Sequence, residues 1–204
     1  MATIEEIRGK NEAGEDVPLF INDTLKANLD RTIHAVKKKN WDYLAIISGT
    51  PGVGKSTLAH QLAVYCDPNF KLDQICFSGE EFRRKTNEGK PGQAFVLDES
   101  FADMNAQLSR DPDFIATVNH LQLIRKKNLF LFVVLPDFFT LHKNIAIFRS
   151  SHLFVVYSED YERGTYAIFD RENKRKLYIK GKQFIDYQCV PPNFRTNYYN
   201  HWFV

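Results

Sequence analysis

Three cysteines, Cys66, Cys76 and Cys189, are scattered over 204 residues and no two of them form a C-x-x-C pair. An odd, widely spaced set suits neither a disulfide framework nor a cysteine-based zinc site, and it fits a reducing, cytoplasmic compartment. Glycine and proline are sparse, at ten and eight residues, which excludes collagen-like and linker compositions. No apolar run is long enough to span a bilayer. The longest, Leu129 to Leu135, falls far short of the roughly 20 residues required. The segment from Met1 to Asp16 alternates acid and base without an apolar centre, so it is not a signal peptide. Charge of one sign is not in excess either, with 27 Lys and Arg against 25 Asp and Glu and a net charge of +2. That excludes a histone-like polycation and leaves room for a local basic patch. There is no internal repeat, and the six histidines show no metal-ligand spacing.

Aromatic side chains are abundant: 17 Phe, nine Tyr and two Trp. Surface of that kind must be buried, paired with a partner or stacked on something flat. A hydrophobic fraction of 44% is enough to fold a globular domain.

Periodicity gives the layout. Residues 1–20 are polar and Gly-punctuated, a flexible arm. Thr24 to Lys39 carries Leu25, Leu29, Ile33 and Val36 at helical spacing. Leu44–Ser48 is a short apolar strand, Ser56–Cys66 a helix, and Gln74–Ser78 a strand. Ala94–Asp98 is a buried strand, Pro112–Lys127 a helix, Leu129–Leu135 a strand, Phe138–Phe148 a short helix and His152–Tyr157 a strand. Phe77, Phe95, Phe130, Phe132 and Phe154 lie in or beside these strands, where a doubly covered sheet needs them. Continuous apolar strands alternating with amphipathic helices predict a mostly parallel sheet with helices on both faces. After Glu159 the pattern changes. Thr165–Phe169 and Lys176–Ile179 flank Asp170-Arg-Glu-Asn-Lys174, which predicts a β-hairpin. Phe184 to Val204 reads as an irregular aromatic tail. The expected organisation is therefore an arm (1–20), a core (21–160), and a hairpin with tail packed on the core (161–204).

Gly49-Thr50-Pro51-Gly52-Val53-Gly54-Lys55-Ser56 fits G-x-x-x-x-G-K-[ST], the phosphate-binding P-loop, and Thr57 follows it. A buried strand precedes it and an amphipathic helix follows, as the motif requires. The glycines let successive backbone N–H groups point inward at phosphate oxygens, and the positive helix end adds to the anion site. Lys55 would reach the β- and γ-phosphates of ATP, and the Ser56 hydroxyl would ligate Mg²⁺. Further on, Ala94-Phe-Val-Leu-Asp98-Glu99 is an apolar strand ending in two acids, the Walker B pattern. Asp98 would hold the Mg²⁺ shell, and Glu99 would polarise an attacking water as general base.

With these two motifs the chain resembles the additional-strand, catalytic-Glu class of P-loop ATPases, in which a strand lies between the P-loop strand and the Walker B strand. The helix ending Arg125-Lys126 and the strand after it resemble the corresponding segment of the FtsK/HerA group and the zonular occludens toxin-type ATPases. The resemblance implies a three-layer, RecA-like α/β fold and an oligomeric motor that pumps or packages DNA. Those families place a polar sensor at the end of the strand that follows Walker B. Here that strand runs into Leu135-Pro136-Asp137, which leaves Asp137 as the sensor or the sensor absent. Ring ATPases of this kind complete the site with an Arg from a neighbour. Arg149 and Arg125 are the candidates, and the plainer role for each is a solvated or helix-capping cation.

Basic residues cluster at Lys37-Lys38-Lys39, at Arg83-Arg84-Lys85, and from Arg171 to Lys182. The last group is interleaved with Tyr178, Phe184 and Tyr187, a composition that suits nucleic acid and equally a soluble hairpin tip. The expected function is an ATP- and Mg²⁺-dependent hydrolase coupled to DNA as a homo-oligomer, with Lys55, Glu99 and Arg149 catalytic. A P-loop kinase of a small molecule and a nucleotide-dependent protein-binding switch stand as alternatives.

Overall fold

The computed structural model describes residues 4–10, 16–98, 112–160 and 162–197. Nine strands and five helices are built from them. The strands are β1 (Ile4–Lys10), β2 (Asp16–Asn22), β3 (Tyr43–Ser48), β4 (Ile75–Cys76), β5 (Ala94–Leu97), β6 (Phe130–Leu135), β7 (His152–Glu159), β8 (Glu162–Phe169) and β9 (Phe194–Asn197). The helices are α1 (Asp23–Lys38), α2 (Lys55–Cys66), α3 (Gly79–Glu88), α4 (Pro112–Leu123) and α5 (Arg171–Gly181).

Strands β4 to β9 and β3 form one seven-stranded sheet in the order β4-β5-β6-β3-β7-β8-β9. The five strands from β4 to β7 in that order are parallel, and β8 and β9 continue antiparallel. Alternation along each parallel strand sends side chains to two separate cores. Leu44 and Ile46 of β3 join Leu131, Val133 and Leu135 of β6 in one core, beneath Phe82 of α3, Leu121 of α4 and Leu177 of α5. Ala45 and Ile47 join Phe130, Phe132 and Val134 in the other, beneath Leu25 and Leu29 of α1 and Leu58 and Leu62 of α2. The expected three-layer α/β fold with a mostly parallel sheet is therefore present.

The strand that the family resemblance implied between the P-loop strand and the acidic strand is β6. It pairs in parallel with β3 on one side (Ser48 beside Leu135) and with β5 on the other (Leu97 beside Val133). All three carboxyl ends lie along one edge of the sheet.

Local chemistry sets the boundaries. Asn22 caps α1, its side chain accepting from the N–H of Thr24 at 2.9 Å. Ser78 does the same for α3 by accepting from Glu81 N–H. Asn128, in the left-handed region at φ 55°, turns the chain from α4 and its trailing 3-10 turn into β6.

Four expectations change. The hairpin is formed by β7 and β8, not by Thr165–Phe169 with Lys176–Ile179. The latter segment belongs to α5. Asp170 is its N-cap, accepting from Asn173 N–H at 2.8 Å, Glu172 sits in the first turn, and Lys174, Leu177 and Tyr178 bury one face. The stretch read as an irregular tail contributes β9, an edge strand beside β8. Phe77, counted with the core phenylalanines, is exposed, whereas Phe95, Phe130, Phe132 and Phe154 are buried as expected. Residues 4–10 and 16–22, within and just beyond the expected arm, pair as a two-stranded antiparallel sheet. Among the described residues no helix is long and apolar enough to cross a membrane.

His152, which opens β7, lies against Tyr43, 3.1 Å from its hydroxyl. Burial pushes its imidazole down from 6.5 to about 4. The native imidazole thus stays neutral down to about pH 4, while the unfolded chain binds its proton near 6.5. The stability this group supplies is full above pH 6.5 and is lost as pH falls towards 4. Urea unfolding at pH 7 and pH 4.5 should show a loss roughly 2 kcal/mol smaller in His152→Gln than in the parent.

Candidate functional site

The residues that the sequence marks as a phosphate loop connect the carboxyl end of β3 to α2. Gly49 leaves the strand at φ 155°, and a Cβ there would stand 2.1 Å from the carbonyl oxygen of Val156 in β7. Only glycine allows the loop to pass so close to the neighbouring strand. Gly54, the cap of α2, is left-handed at φ 98°. Val53 is buried in the core under α2, which anchors the loop's centre. Thr50, Pro51 and Gly52 are exposed, and Thr57 on α2 is half-buried.

Lys55 opens α2 and is only 3% exposed. Its ammonium donates to the carbonyl of Thr50 at 3.0 Å, so it lies folded across the mouth of its own loop. Beside it, the Ser56 hydroxyl donates to Asp98 Oδ1 at 3.1 Å. These two are 42 residues apart in the chain. Asp98 follows β5 directly, and its backbone N–H is held by the Cys76 carbonyl of β4 at 2.9 Å. Because β6 separates β3 from β5, the loop and Asp98 face each other across the end of one intervening strand.

No group of three or more His, Cys, Asp or Glu side chains is assembled among the described residues. A magnesium site of the P-loop kind does not need one. It takes one hydroxyl, one carboxylate, phosphate oxygens and water. Oxygens 3.1 Å apart are spaced like neighbouring ligands around an octahedral ion with metal–oxygen distances of about 2.1 Å. Ser56 and Asp98 therefore fit a hard divalent cation. Glu99, the expected general base, lies outside the described residues.

Asp137 also stands at this edge, one residue beyond Pro136 at the end of β6. Its carboxylate accepts from Phe139 N–H at 3.1 Å and from the hydroxyl of Tyr187 at 2.6 Å. With its proton directed at Asp137, the Tyr187 oxygen accepts from Phe138 N–H at 2.8 Å and from the Ser48 hydroxyl at 3.2 Å. Burial, and then the carboxylate beside it, raise the phenol well above its ordinary pKa. The ring leans on Phe139 with centroids 4.6 Å apart. Tyr187 thus ties the segment after α5 to the strand that enters the phosphate loop. Sequence reading set Tyr187 among residues for stacking on nucleic acid, with Tyr178. Tyr187 is half-buried and Tyr178 buried, the latter donating to the Leu141 carbonyl at 2.8 Å. Nothing local marks either role, since each depends on a partner distant in sequence.

Arg149 is found elsewhere. Its guanidinium is 6% exposed and pairs with Asp42, which is 10% exposed, and it also donates to the Leu121 carbonyl. Burial lowers its pKa, and Asp42 works against that shift. Asp42 immediately precedes β3 and Arg149 nearly precedes β7, so the pair sits at the amino edge of the sheet, opposite the phosphate loop. An arginine reaching into a neighbouring molecule must be free at the surface. The structure instead gives Arg149 an interior ion pair as partner. Arg125, the other candidate, is 69% exposed, with Nε 4.0 Å from Asp42.

The chain matches the family described as novel STAND NTPase 3 over residues 27–153. Among solved structures it is similar to the N-terminal domain of zonular occludens toxin from Neisseria meningitidis, at 14% identity and a TM-score of 0.47 over 78% of this chain and 94% of that one. No curated protein matches.

Removing one member of a buried ion pair strands the other. Arg149→Met should cost roughly 3 to 5 kcal/mol in urea unfolding. Combining it with Asp42→Asn should recover part of that loss. In mixtures with the parent protein, the Arg149→Met chain should lower nucleotide hydrolysis only in proportion to its share. Poisoning beyond that share would return Arg149 to a site between molecules.

Proposed function

The chain belongs to the novel STAND NTPase 3 family, and from that premise we propose that it is a magnesium-dependent ATPase whose turnover is coupled to DNA in a homo-oligomer. Family membership implies nucleotide binding and hydrolysis in general. The observation that carries the more specific reading is the hydrogen bond from Ser56 to Asp98. It supports a shared cation position between the two motifs at the mouth of the phosphate loop.

In this reading the backbone N–H groups of Gly52 to Ser56 and the amino end of α2 receive the phosphates. Lys55 exchanges the Thr50 carbonyl for β- and γ-phosphate oxygens and offsets the charge that builds there. Ser56 and Asp98 would hold Mg²⁺, which when bound would neutralise phosphate charge. Glu99 takes a proton from water as the water oxygen bonds to the γ-phosphorus and the bond to the ADP oxygen breaks. Asp137, held by Tyr187, takes the sensor position at the end of β6. Kinship with the FtsK/HerA and zonular occludens toxin-type ATPases is part of the same proposal, supported by the two motifs and by the place of β6 between them. Assembly into an oligomer is supported by exposed apolar side chains on and after α5, namely Ile179, Phe184 and Ile185.

Lys55→Ala should weaken ATP binding at least tenfold in a fluorescent-nucleotide titration. Glu99→Gln should bind ATP like the parent and hydrolyse it at least about 100-fold more slowly in a phosphate-release assay. A parental rate in Glu99→Gln would mean another base. ADP formed only when a nucleoside monophosphate is supplied would make the protein a kinase, and tight binding without turnover would make it a switch.

A further inference from the structure

Trp41 stands 60% exposed between the end of α1 and the start of β3, at the amino edge of the sheet. Its backbone is fixed, with the N–H bonded to the Ala35 carbonyl. The indole separates two open clefts. One, of about 500 Å³, is lined by Trp41, Tyr43, Arg31 and Arg171 and by the carboxylates Asp42, Asp170 and Glu172. The other, of about 460 Å³, is lined by Trp41, Leu123, Arg125 and Lys126. Each cleft thus has the same aromatic wall and two cations.

The edge around them is basic although the chain as a whole is near neutral, at +2. Lys37, Lys38 and Lys39 end α1 beside Trp41, and all three are exposed. Lys37 reaches the loop before β5, where its side-chain carbons lie 3.5 Å from the position a Cβ on Gly92 would take. The acids nearby are already engaged. Asp42 holds Arg149, Asp170 caps α5, and Glu172 pairs with Lys176 at 2.6 Å. Basic side chains therefore stand on both sides of a flat, solvent-facing ring.

We propose that this edge binds single-stranded nucleic acid, with an unpaired base stacked on Trp41 and the flanking phosphates held by Arg31 and Arg171 in one cleft and by Arg125 and Lys126 in the other. Aromatic platforms accept any unpaired base, and cations on both sides follow a backbone that crosses the ring. A duplex keeps its bases stacked inside and offers the indole no face. The site lies at the far end of β3 from the phosphate loop, a strand of six residues and roughly 20 Å. Strand binding and nucleotide turnover therefore use separate surfaces. The proposal rests on the nucleic-acid coupling put forward above and is independent of the hydrolysis chemistry.

The test is fluorescence anisotropy of the full chain with a labelled oligothymidylate, a duplex of the same length and anionic phosphatidylserine vesicles, without nucleotide, at low and at physiological salt. The parent should prefer the single strand, with affinity falling as salt rises. Trp41→Ala should weaken binding about tenfold, Trp41→Phe should retain most of it, and Arg31→Glu with Arg171→Glu should abolish it, while thermal melts and basal ATP hydrolysis stay at parental values. Strand binding that survives both Trp41→Ala and the charge reversals would overturn this site and leave nucleic-acid coupling standing. No nucleic-acid binding by the parent at low salt would overturn both. Binding to vesicles alone would mark the edge as a membrane surface and overturn the proposal.

Discussion

Strand β6 sets the geometry on which the rest of the site depends. Its backbone is hydrogen-bonded on both sides, to β3 and to β5, and all its residues are buried. A strand so placed fixes the gap between its two neighbours at twice the inter-strand spacing of about 4.8 Å. Asp98, one residue beyond β5, and Ser56, carried on α2 at the end of the loop that follows β3, meet across that gap at hydrogen-bonding distance. Slipping β6 by one residue would reverse which core each of its side chains enters, and deleting it would change the spacing of the two motifs.

Fixed charges inside the fold occupy the opposite edge. The Asp42–Arg149 pair locks the approach to β3 against the approach to β7. Nearby, fully buried Lys174 donates to the carbonyls of Ala146 at 2.8 Å and Ser150 at 2.6 Å, in and just after the π-helical turn Asn144–Arg149. Those carbonyls have lost their intrahelical partners, and a cation at such an end is favourable. Burial pushes the Lys174 ammonium down to about 7, with the Arg171 charge acting in the same direction. The amino edge is thus held by buried polar contacts, whereas the carboxyl edge keeps its polar groups at a loop mouth.

Much of this was legible before any coordinates. The P-loop and the acidic strand end are local motifs with their own chemistry, and apolar runs such as Leu129–Leu135 read as buried strands without ambiguity. Segment 170–181 misled because Lys176-Leu-Tyr-Ile179 is short and β-prone. The Asp170 cap, the acid in the first turn and the Glu172–Lys176 spacing were the better signals. The ion pair of Arg149 was hidden for another reason. Its partner, Asp42, is remote in sequence, and whether an arginine is free or buried is a property of the closed fold. Tyr187 was recognised as an aromatic beside cations, but its link to Ser48 spans 139 residues and leaves no local trace.

That link has a mechanical side. The phenol of Tyr187 touches β3 through Ser48 and the turn after β6 through Asp137 and Phe138, and it is carried on the stretch that follows α5. Gly181 lets this stretch fold back closely, since a Cβ there would lie 2.4 Å from the carbonyl oxygen of Asp186. Tension on the chain beyond α5 is therefore delivered, through one oxygen atom, to the residue immediately before Gly49.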